Sequence, residues 1–462
     1  MPHTSLAKVD NQFTHGSLAK VFFKTAAPII FMMLVNGSFN LVDAYFLGQF
    51  VGADALVAVT SMFPVFIFLI AMSTLVSSGF SSVMARLLGA EKFDKAKEVF
   101  AQAITLSLLV SVVLILLFLL LGESLTLGLN NANVDLANMS YLYVSIMIFG
   151  SPLMFLLTIN SDSLRCEGHI PVMAMASLMS VLLNGVFNYV LIVQLDYGVA
   201  GSALGTLLAQ YCACLLIIIF RYRESSQLKI PFITFSKGRD YWAEFLAIGA
   251  PSSLTHLGFA LSSGAIFYNL QIWGEGNYAD TVGAYGILTR LMTFIYLPLL
   301  GLSLGFQTIV GNNIGAQKFE RVNASIKIAL WASLLYGLAW QLIILLYHHK
   351  IGGLFVDDLG IIHQVSRIFP TATLALSLLG PLLIITMYFQ AIGDAKRAGL
   401  LSMAKTYGFL LPLLFVLPWQ FSEWGIWYAG PTAEVLGLLL TFAVLYQRQQ
   451  KNVYRYGLFK VE

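Results

Sequence analysis

The sequence predicts an all-α polytopic membrane protein: twelve transmembrane helices in two pseudo-symmetric six-helix lobes. Three observations predict it. Only 11% of the 462 residues are charged and 58% are hydrophobic, whereas a soluble domain carries about 25% charged residues. The apolar residues fall into twelve runs, each near the length of about 20 residues that crosses a bilayer as a helix. A motif in the first half recurs in the second.

The runs occupy residues 21–49, 55–88, 99–121, 138–163, 171–194 and 199–220, then 245–273, 281–314, 328–347, 368–392, 406–420 and 424–446. They are continuous and too long for the alternating strands of about ten residues that build a membrane barrel. With the N-terminus in the cytoplasm, 23 of the 26 Lys and Arg fall in cytoplasmic segments, Lys405 among them. Lys350 and Arg367 fall outside, and Arg290 lies within a span. This positive-inside bias places both termini in the cytoplasm. Residues 1–20 lack the short apolar core and small-residue site of a removable signal peptide. They read as a polar tail.

The repeat runs from Gly79-Phe80-Ser81 to Gly89-Ala90-Glu91-Lys92-Phe93, and again from Gly305-Phe306-Gln307 to Gly315-Ala316-Gln317-Lys318-Phe319, at an offset of 226. Ala27-Pro28 matches Ala250-Pro251 at 223, and Gly168 matches Gly393 at 225. An even number of spans per half gives both halves one orientation, with their axis along the membrane normal. The expected organisation is a lobe over 1–220, a basic cytoplasmic linker over 221–240 and a lobe over 241–462.

Few residues in the spans carry chemistry. Asp43 is the sharpest signal, because an acid in a span costs at least about 2.5–3.5 kcal/mol to insert. Asn36, Asn40 and Asp43 share one helix face, as do Asn184 and Asn188. Thr206 lies in the sixth span. Pro28 removes a helix donor in the first span and offers a hinge. Glu434 and Arg290 sit nine or ten residues into spans that enter from outside, about 15 Å deep. Equal depth suggests that they pair. Cys166, Cys212 and Cys214 form no CxxC and suit packing. Gly301-Leu302-Ser303-Leu304-Gly305 matches a hydrolase pattern but lacks its strand and turn. His348 and His349 are adjacent, so they should diverge on a helix. Neither an enzyme nor a metal site is expected. A net charge of +3 is too small to suggest a nucleic-acid partner.

Ala85-Arg86 with Gly89-Ala90, Gly311 with Gly315-Ala316, Leu164-Arg165-Cys166-Glu167-Gly168, and Asn184 with Asn188 together resemble the multidrug and toxic compound extrusion (MATE) family. The likeness is closest to its proton-driven bacterial and archaeal (DinF-like) branch. The resemblance implies V-shaped lobes and export of drugs or toxic organic cations, lipophilic and often charged, in exchange for H⁺ or Na⁺. It implies a monomer in a bacterial inner membrane, with the lipid bilayer as its other partner and no cofactor beyond the coupling ion. It places Asp43 at the coupling position of the N-terminal lobe, with Asn184, Asn188 and Thr206 around it. The proton-driven branch often has an acid where this chain has Asn188. The sodium-coupled branch has acids in its seventh and tenth spans, and here those spans have none. A flippase for lipid-linked sugars shares the architecture but needs basic residues in the cavity, where Arg290 alone is available. A channel would need a ring of equivalent sites, which the lone acids do not supply.

Overall fold

A computed structural model describes residues 11–130, 133–223, 233–236, 238–274, 278–451 and 454–460; the side chains of residues 38–41, 53 and 451 lie outside the description. Among these residues ten helices are long and apolar enough to cross a membrane, and two bent pairs complete twelve. The first six spans are α1 (Leu18–Phe46), α3 (Phe63–Gly89), α4 (Phe93–Leu129), the pair α5 (Val134–Phe149) and α6 (Ser151–Glu167), α7 (Ile170–Asn188) and α8 (Gly198–Arg223). A short α2 (Ala53–Ser61) precedes α3, with Pro64 in the first turn beyond the break. The single run expected over 55–88 is therefore two helices. The last six spans are α9 (Trp242–Trp273), α10 (Tyr278–Gly315), α11 (Phe319–Ile351), the pair α12 (Leu359–Ala372) and α13 (Leu376–Ala391), the continuous span formed by α14 (Ala395–Met403), a π-helical stretch, α15 (Leu411–Val416) and α16 (Pro418–Phe421), and α17 (Glu423–Lys451). A two-residue-per-strand hairpin, β1 (Tyr454–Arg455) and β2 (Phe459–Lys460), follows.

The duplication is written into the backbone. The fourth span bends by 46° at Gly150 and the tenth by 51° at 373–375, and Gly150 and Ala375 stand 225 residues apart. Gly168 and Gly393 both take positive φ, 94° and 81°, a region open to glycine at no steric cost. Glu91 and Gln317, 226 apart, share a left-handed turn at 57° and 58°.

Chain contacts define two compact units. Unit 1 is Met1–Leu246 with Thr308–Val322, and unit 2 is Ala247–Gln307 with Asn323–Glu462. The last turns of α10 thus belong with the first six spans. The repeated glycines explain why. A Cβ on Gly89 would lie 1.9 Å from the Asn312 carbonyl oxygen, and one on Gly315 would lie 2.0 Å from that of Arg86. Arg86 and Asn312 are themselves repeat mates, so the contact is reciprocal. Ala85 and Gly311, also mates, meet between them, where a Cβ on Gly311 would come 2.7 Å from that of Ala85. Two helices cross here at backbone contact, about a local two-fold.

Polar groups close over this crossing. Arg165, 2% exposed, donates to Thr308 Oγ1 at 2.6 Å, Ser81 Oγ at 3.1 Å and Asp162 Oδ1 at 2.9 Å. The tail, expected to be merely polar, is tied down from residue 11 onward. Asn11 donates to Asn312 Oδ1, Asn313 and Arg321 donate to the Phe13 carbonyl, and Lys318 donates to that of Thr14.

Gly89→Val and Gly315→Val should each destabilise the fold by about 1–3 kcal/mol through overpacking, read as a lower melting temperature in detergent. Gly128→Val, where a Cβ meets nothing within 4 Å, is the control and should lose little.

Candidate ion-coupling site

Asp43 lies one turn before the end of α1. The stripe it shares with Asn36 faces α7, since Ser177 Oγ donates to Asn36 Oδ1 at 2.6 Å two turns from the acid. The seam advances by seven residues on both helices, which carries it from Asn36 and Ser177 to Asp43 and Asn184. Asn36 belongs to this seam and not to the acid's own shell. The Asn40 side chain lies outside the described residues.

The Asp43 carboxylate is 8% exposed. Asn188 Nδ2 donates to its Oδ1 at 2.6 Å and Asn184 Nδ2 at 3.2 Å, while Thr206 Oγ1 donates to Oδ2 at 3.4 Å. Asn184 Nδ2 also reaches Thr206 Oγ1 at 3.1 Å, so α1, α7 and α8 meet in one polar knot. Sequence spacing put these residues on their faces, and packing brought the faces together. Every donor is a neutral amide or hydroxyl, and among the described residues no cation pairs with Asp43. Asn188 Oδ1 is buried without a hydrogen-bond partner. Tyr143 on α5 and Ser202 on α8 also face the carboxylate. No intramembrane charge marked Tyr143 in the sequence. Ser202 stands one turn from Thr206, and that i, i+4 spacing was its only signal.

Small residues on α8 make the knot possible. A Cβ on Gly205 would sit 2.4 Å from Asn188 Oδ1. Just past the knot, α1 and α7 both widen into π-helical turns, Leu47–Val51 and Tyr189–Gln194. Such turns recur at functional sites because they shift the helix's hydrogen-bond register. Pro28 lies inside α1 as expected, and α1 remains one helix across it.

The pairing expected between Glu434 and Arg290 is not formed. Glu434 Oε1 binds Lys405 Nζ at 2.6 Å, and its Oε2 is buried without a partner. Arg290 is exposed on α10. Equal depth did not amount to adjacency, because the eleventh span, not the eighth, lies against α17 at Glu434. Lys405 was assigned to the cytoplasm because the apolar run starts after it. The helix starts ten residues earlier, at Ala395, which puts Lys405 about 15 Å along the span. A third π-helical stretch, Ala404–Leu410, carries it. Arg165, likewise counted as a cytoplasmic charge, is a buried brace. His348 and His349 do not diverge, since both turn to Ser366. No group of three metal-binding side chains occurs among the described residues.

A duplicated twelve-span helical bundle, with an acid sequestered between three helices of one half, defines a membrane transporter of the two-lobed class. The MatE family model matches residues 28–190 and 271–416, more than half of the chain, and the protein belongs to that family, the MATE transporters. Multidrug export protein MepA of Staphylococcus saprophyticus is 25% identical over 434 residues, 94% of this chain and 95% of that protein. The probable multidrug resistance protein YoeA of Bacillus subtilis is 23% identical over 427 residues, 90% of each. In fold, the chain is similar to a MATE transporter crystallised in a bent conformation, with a TM-score of 0.85 at 22% identity over 95% of this chain and 96% of that one. It is also similar to a MOP superfamily transporter of Pyrococcus furiosus, with a TM-score of 0.83 at 23% identity over 93% and 96%.

Gly205→Ala should push Asn188 off Asp43 and reduce transport at least tenfold while the protein remains inserted, as read by expression and dye efflux. In a double-mutant cycle on thermal stability, Lys405→Met and Glu434→Gln should each destabilise, and the pair should recover a coupling energy of about 0.5–3 kcal/mol. Additive losses would show that the contact contributes nothing.

Proposed function

We propose that this protein is a proton-coupled antiporter that exports lipophilic, often cationic, small molecules across a bacterial inner membrane by alternating access. Asp43 carries the reading. It is a carboxylate in a span, it has no counter-cation among the described residues, and its partners accept either protonation state. Ionised, it takes three donors. Protonated, it becomes a donor itself, and Asn188 Oδ1 beside it lacks one. Proton uptake from outside would therefore rearrange the hydrogen bonds joining α1 to α7 and α8. Pro28 is the proposed hinge at which α1 bends in response, shrinking the lobe's cavity and releasing the drug. Asn36 extends the same seam, and Asn40 shares the helix face of Asn36 and Asp43 by sequence spacing alone. The multidrug export named for the staphylococcal relative and the multidrug resistance named for the Bacillus one support the substrate class, and the Lys and Arg bias supports cytoplasmic termini. No enzymatic step and no resident cofactor enter this reading, and one chain suffices for it.

A sodium-coupled exchange is the second reading. Its support is the density of oxygen around Asp43, which includes the unpartnered Asn188 Oδ1, because hard cations take oxygen ligands.

The test is drug transport in proteoliposomes under separately imposed H⁺ and Na⁺ gradients. The wild type should respond to ΔpH, and Asp43→Asn should lose that response by at least tenfold while remaining folded. Full ΔpH-driven transport by Asp43→Asn would move the coupling elsewhere. A response to Na⁺ alone would favour the second reading.

A further inference from the structure

A groove of about 620 Å³ opens on unit 2 between α11, α13 and α17 and is floored by the C-terminal hairpin. Its walls include Trp331, Ile385, Leu438 and Phe442, and its floor is Leu458. Gln449, Tyr446 and Tyr456 gather at one end. Along its length the groove is apolar apart from Thr441, whose hydroxyl donates to the Gly437 carbonyl, and its other polar side chains stand at that end.

Two observations say what lies in it. First, it continues the bilayer-facing surface. Trp331, Leu335, Leu338 and Leu342 form an exposed apolar stripe on α11, and Val435, Leu439, Phe442 and Tyr446 form one on α17. Both follow i, i+4, i+7, i+11 spacing, and both run into the groove. Along α17 the groove extends from Leu438 to Gln449, eleven residues or about 16 Å. That is half of a hydrocarbon core about 30 Å thick, the length of one leaflet's acyl chain.

Second, cations stand at the polar end. Lys327 is one turn before Trp331 on the same face of α11, with Nζ over the Phe459 ring. Arg455 stacks on Tyr456. Neither pairs with a carboxylate among the described residues. The hairpin that presents Arg455 is bolted in place. Arg448 stacks on Tyr454 at 4.0 Å and donates to the Gly457 carbonyl at 3.0 Å, and Tyr388 Oη donates to that of Leu458 at 3.2 Å. Asn323 and Lys460 exchange two hydrogen bonds. Gly457 has φ +69°, and a Cβ there would meet the Leu445 carbonyl oxygen at 2.1 Å, so the turn requires glycine.

We propose that this groove is a binding site for an anionic phospholipid of the leaflet on the C-terminal side. One acyl chain lies between α11, α13 and α17, and the phosphate sits against Lys327 and Arg455. Basic pockets between spans on the cytoplasmic side are the expected place for such headgroups. The site is independent of the coupling ion and of the exported compound.

The experiment uses the full chain in vesicles and needs no identified native lipid. Trp331 is the reporter, with Trp331→Phe isolating its signal from that of the other tryptophans. Phosphatidylglycerol brominated on its chains should quench Trp331 several-fold more than brominated phosphatidylcholine at equal mole fraction. Lys327→Gln with Arg455→Gln should lose about tenfold of that preference. Ile385→Trp in the Trp331→Phe background should occupy the groove and lower the phosphatidylglycerol retained through delipidation, as read by native mass spectrometry. Free glycerol phosphate should not compete. Equal quenching by both lipids in the wild type would overturn the proposal, and that measurement needs no variant at the headgroup site to fold. Competition by glycerol phosphate alone would leave a headgroup site without the acyl groove and would overturn it as well.

Discussion

The hydrocarbon core offers no water, so backbone groups in a span must find their partners inside the protein, and a polar side chain there has only neighbouring helices to turn to. Asp43 in the first half and Glu434 in the second meet this constraint in different ways. In the first half, Asp43 is satisfied by Asn184, Asn188 and Thr206, which supply hydrogen bonds and no charge. In the second, Glu434 is matched by Lys405, which cancels the charge. The first arrangement leaves the acid with neutral donors and, among the described residues, no counter-charge. The second is neutral as a pair, and changing either partner alone strands the other. Duplication supplied two bundles, and the partners of the acid differ between them.

The glycine crossing holds a different kind of constraint. Helices in a membrane gain no hydrophobic drive from meeting each other, so close approach depends on small residues and van der Waals contact. At Gly89 and Gly315 the approach reaches backbone against backbone, which fixes both register and angle. Arg165 then satisfies Ser81 and Thr308 across the contact, and the tail from Asn11 to Gly16 fastens over it. A motif visible as a repeat is therefore also a joint, with each copy serving as the other's partner.

The irregular helices follow the same logic. Three π-helical stretches and two bent spans lie where the chain departs from simple crossing. Two of the π turns begin one turn beyond Asp43 and directly beyond Asn188, and the third carries Lys405. Shifted backbone bonds are tolerated in a membrane where neighbouring helices cover them, and they allow a helix to change its twist at low cost.

Much of this was legible in the sequence because the bilayer is a simple solvent. It demands long apolar runs, excludes charge and sorts Lys and Arg by side, so the twelve spans, the duplication and the exceptional status of Asp43 could be read from composition and spacing alone. The i, i+4 and i, i+7 periods also put Asn36, Asp43, Asn184 and Asn188 on definable faces. Which faces meet depends on helix packing, a long-range property that leaves no local mark. Depth along a span was readable, but neighbours across it were not. Arg290 and Glu434 were therefore matched by depth alone, and Lys405 was left outside because its helix begins before its apolar run. The role of Arg165 and the docking of the hairpin were hidden for the same reason: a cation near a span end reads as solvated until tertiary structure surrounds it with acceptors and rings.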